Sequence, residues 1–239
     1  MAKYKRLPRV TVVDQVIDEF KDALQTGRLQ VGDSLPPEKD LAAQMGVGRN
    51  SVREALRVLE AYGVIETKPK DGAIIVDRLS ESMLNLLSFH FTLDTDTFIH
   101  LQEVRKLIEI GCASDICSKI TEEGIRQLND NIAEMSLGGD SKQLGLLDAR
   151  FHFIYLSMVD NPIIIQVYLV MSKMIRNFLS VHKHDEALRV TLEGHRNIVS
   201  ALQERNASLC RKMVAQHLED GVRIFKMKSE GADKVNDDS

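Results

Sequence analysis

The chain has 239 residues, a net charge of −4, 44% apolar and 28% charged residues, few aromatics and no tryptophan. At roughly 150 residues per domain this is one large domain or two modest ones, with a composition outside the disordered class. No apolar run approaches the ~18 residues of a spanning helix, the first residues lack an apolar signal core, and Cys112, Cys117 and Cys210 form neither a CxxC nor an even disulfide set. The expectation is a soluble cytoplasmic protein with no membrane partner, whose thiols are packed and reduced.

Charge is unevenly spread: residues 1–78 carry 13 Lys/Arg against 12 Asp/Glu, and the remainder 18 against 23. Lys3, Lys5, Arg6 and Arg9 make a basic arm, and Arg49, Arg53 and Arg57 recur every four residues. From about Thr11 to Thr26, Val12, Val13, Val16, Ile17, Phe20 and Leu24 give a 3.6-residue apolar stripe, with Gly27 as the stop. A turn-rich link with two prolines leads to a short helix from Glu38 to Met45, stopped by Gly46. A third helix follows from Asn50 to Tyr62 with Val52, Ala55, Leu56 and Leu59 inward, stopped by Gly63. Val64–Thr67 and Ala73–Val76 are β-prone runs around a turn ending in Asp71-Gly72. Three helices and a two-stranded wing make a winged helix-turn-helix.

Beyond residue 80 the pattern is purely helical, with seven stretches at about 81–92, 95–118, 121–136, 140–159, 162–182, 184–204 and 207–228. Gly138-Gly139, Asn161-Pro162 and Asn206 are the clearest breaks. The expected fold is mainly α: residues 1–78 a winged helix-turn-helix, 79–82 a linker, 83–230 an all-α bundle, and 231–239 a frayed tail.

In a helix-turn-helix the first turn of the second helix enters the major groove. Arg49 and Arg53, one helical step apart, suit guanine, and Asn50 suits adenine. Lys39 is placed for a phosphate, and Lys68 and Lys70 for the backbone or minor groove. The opposing reading, arginines that merely solvate a helix face, loses weight because they fall on the groove-facing turn.

In the helical part, Asp148 and His152 are four apart and share a helix face. His195 and His217 each lie 11 residues from Asn206. In an antiparallel hairpin both would stand about 16 Å from the turn, at the same height. One carboxylate and three imidazoles suit zinc, nickel, iron or manganese. Singly, each histidine reads better as a hydrogen-bonded core residue. Arg105 lies in an otherwise apolar stripe with Leu101, Ile108 and Cys112, so it needs an anion: Glu109 within the chain, or an effector carboxylate. His90, His100, His182 and His184 have no matched spacing and read as surface or core residues.

Gly27, Leu29, Gly32, Leu35, Pro36, Glu38, Leu41 and Ala42, then Gly46, Val47, Arg49, Val52, Arg53, Glu54, Ala55, Leu56 and Leu59, resemble the DNA-binding domain of the GntR superfamily of bacterial transcription regulators. The resemblance implies operator contact by Lys39, Arg49, Asn50, Ser51, Arg53 and Gly72. Gly48 departs from the family's usual Ser or Thr, and the wing tip is less glycine-rich. Residues 83–228 are similar to the FCD ligand domain of the FadR-like subgroup, whose metal-binding members carry Asp-x3-His on one helix and single histidines on the last two. This implies a divalent metal, zinc first and otherwise nickel, manganese or iron, on Asp148, His152, His195 and His217. It also implies effector contact by Arg105 and Asn161. Gly194 departs from the acidic residue common beside the first of those histidines; it either enlarges the pocket or is merely tolerated.

The resulting expectation is a homodimeric, non-enzymatic regulator, most often a repressor in such families. It would bind double-stranded operator DNA under control of a small organic or sugar acid at a metal site. Three rivals are a metal-responsive regulator, an acyl-ligand binder with structural histidines, and a metallohydrolase; the last lacks an HExxH motif and an obvious general base.

Overall fold

The computed structural model describes residues 10–68, 72–91, 94–179 and 185–236. The chain divides into two compact units, residues 1–86 and 87–239.

The first unit is built on α1 (Val12–Gln25), α2 (Glu38–Met45), α3 (Arg49–Ala61), β1 (Ile65–Lys68) and β2 (Gly72–Ile75). Thr11 and Asp14 close a capping box at the head of α1, satisfying two of its orphan amides. Gly46 ends α2 at φ +66°, a left-handed turn that a β-carbon would strain and that redirects the chain into α3 within three residues. Val16, Phe20, Leu35, Leu41, Val52, Ala55, Leu59, Ile65 and Ile75 form one core. β1 and β2 pair antiparallel, Ile65 opposite Ile75 and Lys68 opposite Gly72, with Pro69–Asp71 outside the described residues. The link before α2 does more than turn. Leu35 N donates to Ala73 O, Ile75 N to Asp33 O and Gly32 N to Ile75 O, so residues 32–35 add a third edge to the wing.

α4 (Leu79–His90) begins where the sequence suggested a short linker, and the division between the units falls within it. The second unit holds α5 (Thr95–Lys119), α6 (Glu122–Ser136), α7 (Ser141–Ser157), α8 (Pro162–Leu179), α9 (Asp185–Gln203) and α10 (Ala207–Asn236). α10 therefore continues past Gly231, where fraying was expected; residues 237–239 lie outside the description. Asp94, Thr121 and Asp140 cap α5, α6 and α7 through side-chain oxygens. The bundle core runs through Ala113, Ile116, Leu128, Phe151, Tyr155, Leu156, Ile198, Leu202 and Val214.

The α9–α10 hairpin is pinned by its own turn. Arg205, at φ +49°, donates to the carbonyls of Cys117, Ser118 and Ile120, closing the end of α5. Asn206 caps α10 by accepting from Leu209 N. Hydrogen bonds from a charged donor contribute about 1.5–3 kcal/mol each, less when part-exposed. Arg205→Ala should therefore lower unfolding free energy by about 1–3 kcal/mol in urea titration; a change below 0.5 kcal/mol would mean the turn is held by packing alone.

Candidate DNA-reading turn and candidate metal centre

α3 starts at Arg49 with Gly48 as its N-cap, and no side chain caps it, as expected where Gly replaces Ser or Thr. Val52, Ala55 and Leu59 point into the core, which turns Arg49 and Asn50 to solvent and leaves Ser51 and Arg53 half-exposed. The two arginines converge on one carboxylate from α2. Glu38 Oε2 accepts from Arg49 Nε at 2.9 Å and from Arg53 Nη2 at 3.0 Å, while Oε1 accepts from Arg53 Nε at 3.1 Å. The hydrogen bonds from Arg53, then those from Arg49, hold the Glu38 carboxyl down to about 2. Lys39 and Gly72 are exposed, Gly72 at φ +78° where the wing turns. Lys70 and the basic arm of residues 3–9 lie outside the described residues.

In the helical unit, Asp148 and His152 project from α7, His195 from α9 and His217 from α10, and one donor atom from each lies within 4.8 Å of the others. His152 Nε2 is 3.1 Å from His217 Nε2 and 3.4 Å from His195 Nε2; Asp148 Oδ1 is 3.4 Å from His195 Nε2 and 3.8 Å from His152 Nε2. Tetrahedral donors at about 2.0–2.1 Å from zinc stand about 3.3 Å apart, so three of these separations are near that spacing while the set as a whole is wider. The donor states fit as well. Burial drives the His195 imidazole down to about 4 and His217 well below its ordinary value, which leaves both neutral and able to coordinate. Burial alone would raise the Asp148 carboxyl, but the hydrogen bond with His195 and the nearby His152 and Arg105 outweigh it and hold it low.

Each ring is oriented by its surroundings. His152 Nδ1 meets Glu109 Oε2 at 2.7 Å, with both groups fully buried, so Nε2 faces the cluster. Phe151 stacks on His195 with ring centroids 3.7 Å apart and planes 7° from parallel. Glu109 is held in turn by Arg105, whose Nε donates to Oε1 at 2.6 Å. Burial opposes ionisation of Glu109, and His152 and Arg105 beside it more than compensate. Sequence reasoning weighed Glu109 only as a partner for Arg105. Its grip on His152, 43 residues away, could not be read from the chain.

Arg105 is only 4% exposed, yet its Nη2 has no hydrogen-bond partner among the described residues and stands 3.8 Å from Asp148 Oδ2. It borders a cavity of about 460 Å³ lined by α5, α6, α7, α9, α10 and the 138–141 turn. Gln102, Asp148, Thr191 and His217 supply polar lining, and Phe98, Leu144, Leu188 and Phe225 apolar lining. Gln102 Oε1 is likewise buried without a partner. The internal salt bridge and the free donor are thus two faces of the same guanidinium. Asn161 does not join the group. It is exposed, absent from the cavity wall, and its Oδ1 accepts from the Ile163 and Ile164 amides, so its place is the N-cap of α8. His90 and His100 are exposed; His182 and His184 lie outside the described residues.

The Glu38 clamp is directly measurable. Its folded value lies below the ordinary 4.5, so its stabilising contribution is complete above that value and fades as pH falls towards 2. In a carboxyl-detected NMR titration Glu38 should titrate at about 2, and Arg53→Gln should move it back towards 4.5. Titration near 4.5 in the unmodified protein would mean that the arginines do not converge.

Two family models match: bacterial regulatory proteins of the gntR family over residues 12–75, and the FCD domain over residues 100–220. The HTH-type transcriptional regulator YcbG of Bacillus subtilis is 30% identical over 219 residues, 90% of this chain and 91% of the relative. The galactonate operon transcriptional repressor of Escherichia coli is 24% identical over 89% of this chain and 96% of its own length. Among solved structures, Streptococcus agalactiae GntR superposes with a TM-score of 0.71 at 26% identity, over 89% of this chain and all of that one. Family members bind operator DNA as dimers and are regulators rather than enzymes. Winged helix-turn-helix, helical unit and full-length relatives agree that this chain belongs to the GntR family, as a DNA-binding transcription regulator with an FCD domain.

Proposed function

We propose that this chain is a dimeric, cytoplasmic repressor of the FadR-like branch, released from its operator when a small organic or sugar acid binds at a divalent-metal site formed by Asp148, His152, His195 and His217. The observation that carries the reading is the buried Arg105 Nη2, without a hydrogen bond among the described residues, bordering the same cavity as Asp148 and His217. A buried guanidinium donor left without a hydrogen bond at a cavity wall favours an anion over a neutral ligand. Gln102 Oε1, an unpartnered acceptor on the same wall, suits a hydroxyl of that acid. Relatives named as the galactonate operon repressor and, in Haemophilus influenzae, the Uxu operon regulator support a sugar-acid class.

Zinc or a similar ion held by the four donors would supply positive charge and open positions for the acid's oxygens. The protein's own residues do the rest. Arg105 takes the carboxylate, Glu109 keeps His152 Nε2 aimed at the cluster, and the apolar lining excludes water. Arg49, Asn50, Ser51, Arg53, Lys39, Lys70 and Gly72 meet the operator, the arginines at base edges and the wing at the backbone. The acid shifts the dimer away from its operator-binding geometry only by its differential affinity for the two geometries.

Thermal unfolding of metal-loaded and chelated protein against small carboxylates tests this. An acid at 100 times its Kd should add about 2.7 kcal/mol, and only in the loaded protein. His152→Ala combined with His217→Ala should abolish that gain while operator binding persists. Metal stabilisation with no acid adding to it would make the ion itself the signal, and stabilisation by acid without metal would overturn the site. For the DNA face, Arg49→Ala should cost about 1–3 kcal/mol and relax preference at one base position. Equal weakening on all sequences would mark Arg49 as a phosphate contact.

A further inference from the structure

His217 reaches the cluster from α10 with its ring against the backbone of α9 at Gly194. A β-carbon on Gly194 would stand 2.4 Å from His217 Nδ1, 3.0 Å from its Cγ and 3.2 Å from its Cβ. The three atoms in the way are the root of the imidazole, not the loose end of a long side chain, so no small torsion clears them while leaving Nε2 in place. Two other reasons for a glycine fall away. Gly194 has no positive φ, and it is not on the cavity wall, so it neither relieves backbone strain nor adds room for an effector. Mid-helix, glycine is also the poorest choice after proline. The role that the geometry does show is the close approach. α9 thus serves the cluster twice, through the His195 imidazole and through a missing side chain one residue earlier that lets the α10 imidazole come within 3.1 Å of His152 Nε2.

We propose that Gly194 is a positioning residue for His217, setting the depth at which the α10 imidazole docks and hence the metal affinity of the four-donor cluster. The affinity part of this statement rests on the metal reading above; the docking part does not. Even the single carbon of alanine must push the ring outward, and Nε2 moves with it.

The test uses the full-length protein with Gly194→Ala, His217→Ala and the double variant. Zinc affinity is read by competition with a chromophoric chelator. The His217 ring is read from imidazole 15N resonances of metal-free protein, assigned by their loss in His217→Ala. Disturbing the groups that orient a metal ligand costs 10–100-fold in affinity, so Gly194→Ala should bind zinc at least about tenfold more weakly and shift the His217 resonances. Its metal-free thermal stability should fall as well, since a buried ring must give way, with alanine's better helix propensity offsetting part of that loss. In the His217→Ala background the methyl meets no ring, and Gly194→Ala should change zinc affinity no further. Unchanged affinity with an unshifted ring, or equal weakening in the His217→Ala background, overturns the proposal. If the parent protein takes up no zinc, the metal reading fails and the ring resonances alone decide the positioning claim. Should Gly194→Ala fail to fold, rescue by His217→Ala supports the proposal and failure to rescue overturns it.

Discussion

Charge inside a helical bundle must be matched almost atom by atom, because each ion loses several kcal/mol of hydration on burial. Here one guanidinium faces two carboxylates: Arg105 binds Glu109 at 2.6 Å and approaches Asp148 at 3.8 Å. Two of the three imidazoles beside them are driven neutral by burial and add no balancing charge. The carboxylate at the cavity edge, Asp148, retains 17% side-chain exposure and is the less closely paired of the two. A carboxylate and three ring nitrogens gathered at one point make a donor set suited to a cation, and the orientation of the His152 ring depends on the Arg105–Glu109 pair staying intact.

That pair also explains why five helices have to meet at one place. α5 supplies the ion pair, α7 a carboxylate and an imidazole that leans on it, and α9 and α10 the remaining rings. α8 packs against α5 and α7, and its Tyr168 hydroxyl donates to the Ala149 carbonyl of α7. The α9–α10 hairpin is the least forgiving part, since its two donors stand 11 residues either side of Asn206. A slip of one residue on either strand of the hairpin would rotate a ring by about 100° away from the centre.

Much of this was legible in the sequence because it follows local rules. Apolar stripes of period 3.6, stopped by Gly27, Gly46, Gly63 and Asn206, located the helices, and the four-residue and 11-residue spacings brought the four donors together. What escaped was set by tertiary partners. Glu109 meets His152 across 43 positions, Glu38 meets Arg53 across 15, and the wing gains an edge from residues 32–35 through backbone bonds that no side-chain pattern announces. Asn161, for which the resemblance implied effector contact, instead shows its Oδ1 meeting the open amides of α8, a local demand of the helix start.

The clamp on α3 has a consequence for how such a protein searches a genome. Random DNA offers chiefly phosphate charge, and affinity for it depends on how many cations are available to displace counterions. With Arg49 and Arg53 both engaged by Glu38, two of the cations proposed to meet DNA are already partly spent before any duplex arrives. Non-cognate duplex, offering charge alone, has to win them from a carboxylate at close range, whereas a cognate site adds base acceptors to the same exchange. On the proposed reading of Arg49 and Arg53, the carboxylate would lower the background of unproductive encounters more than binding at the true site, improving discrimination at the expense of raw affinity.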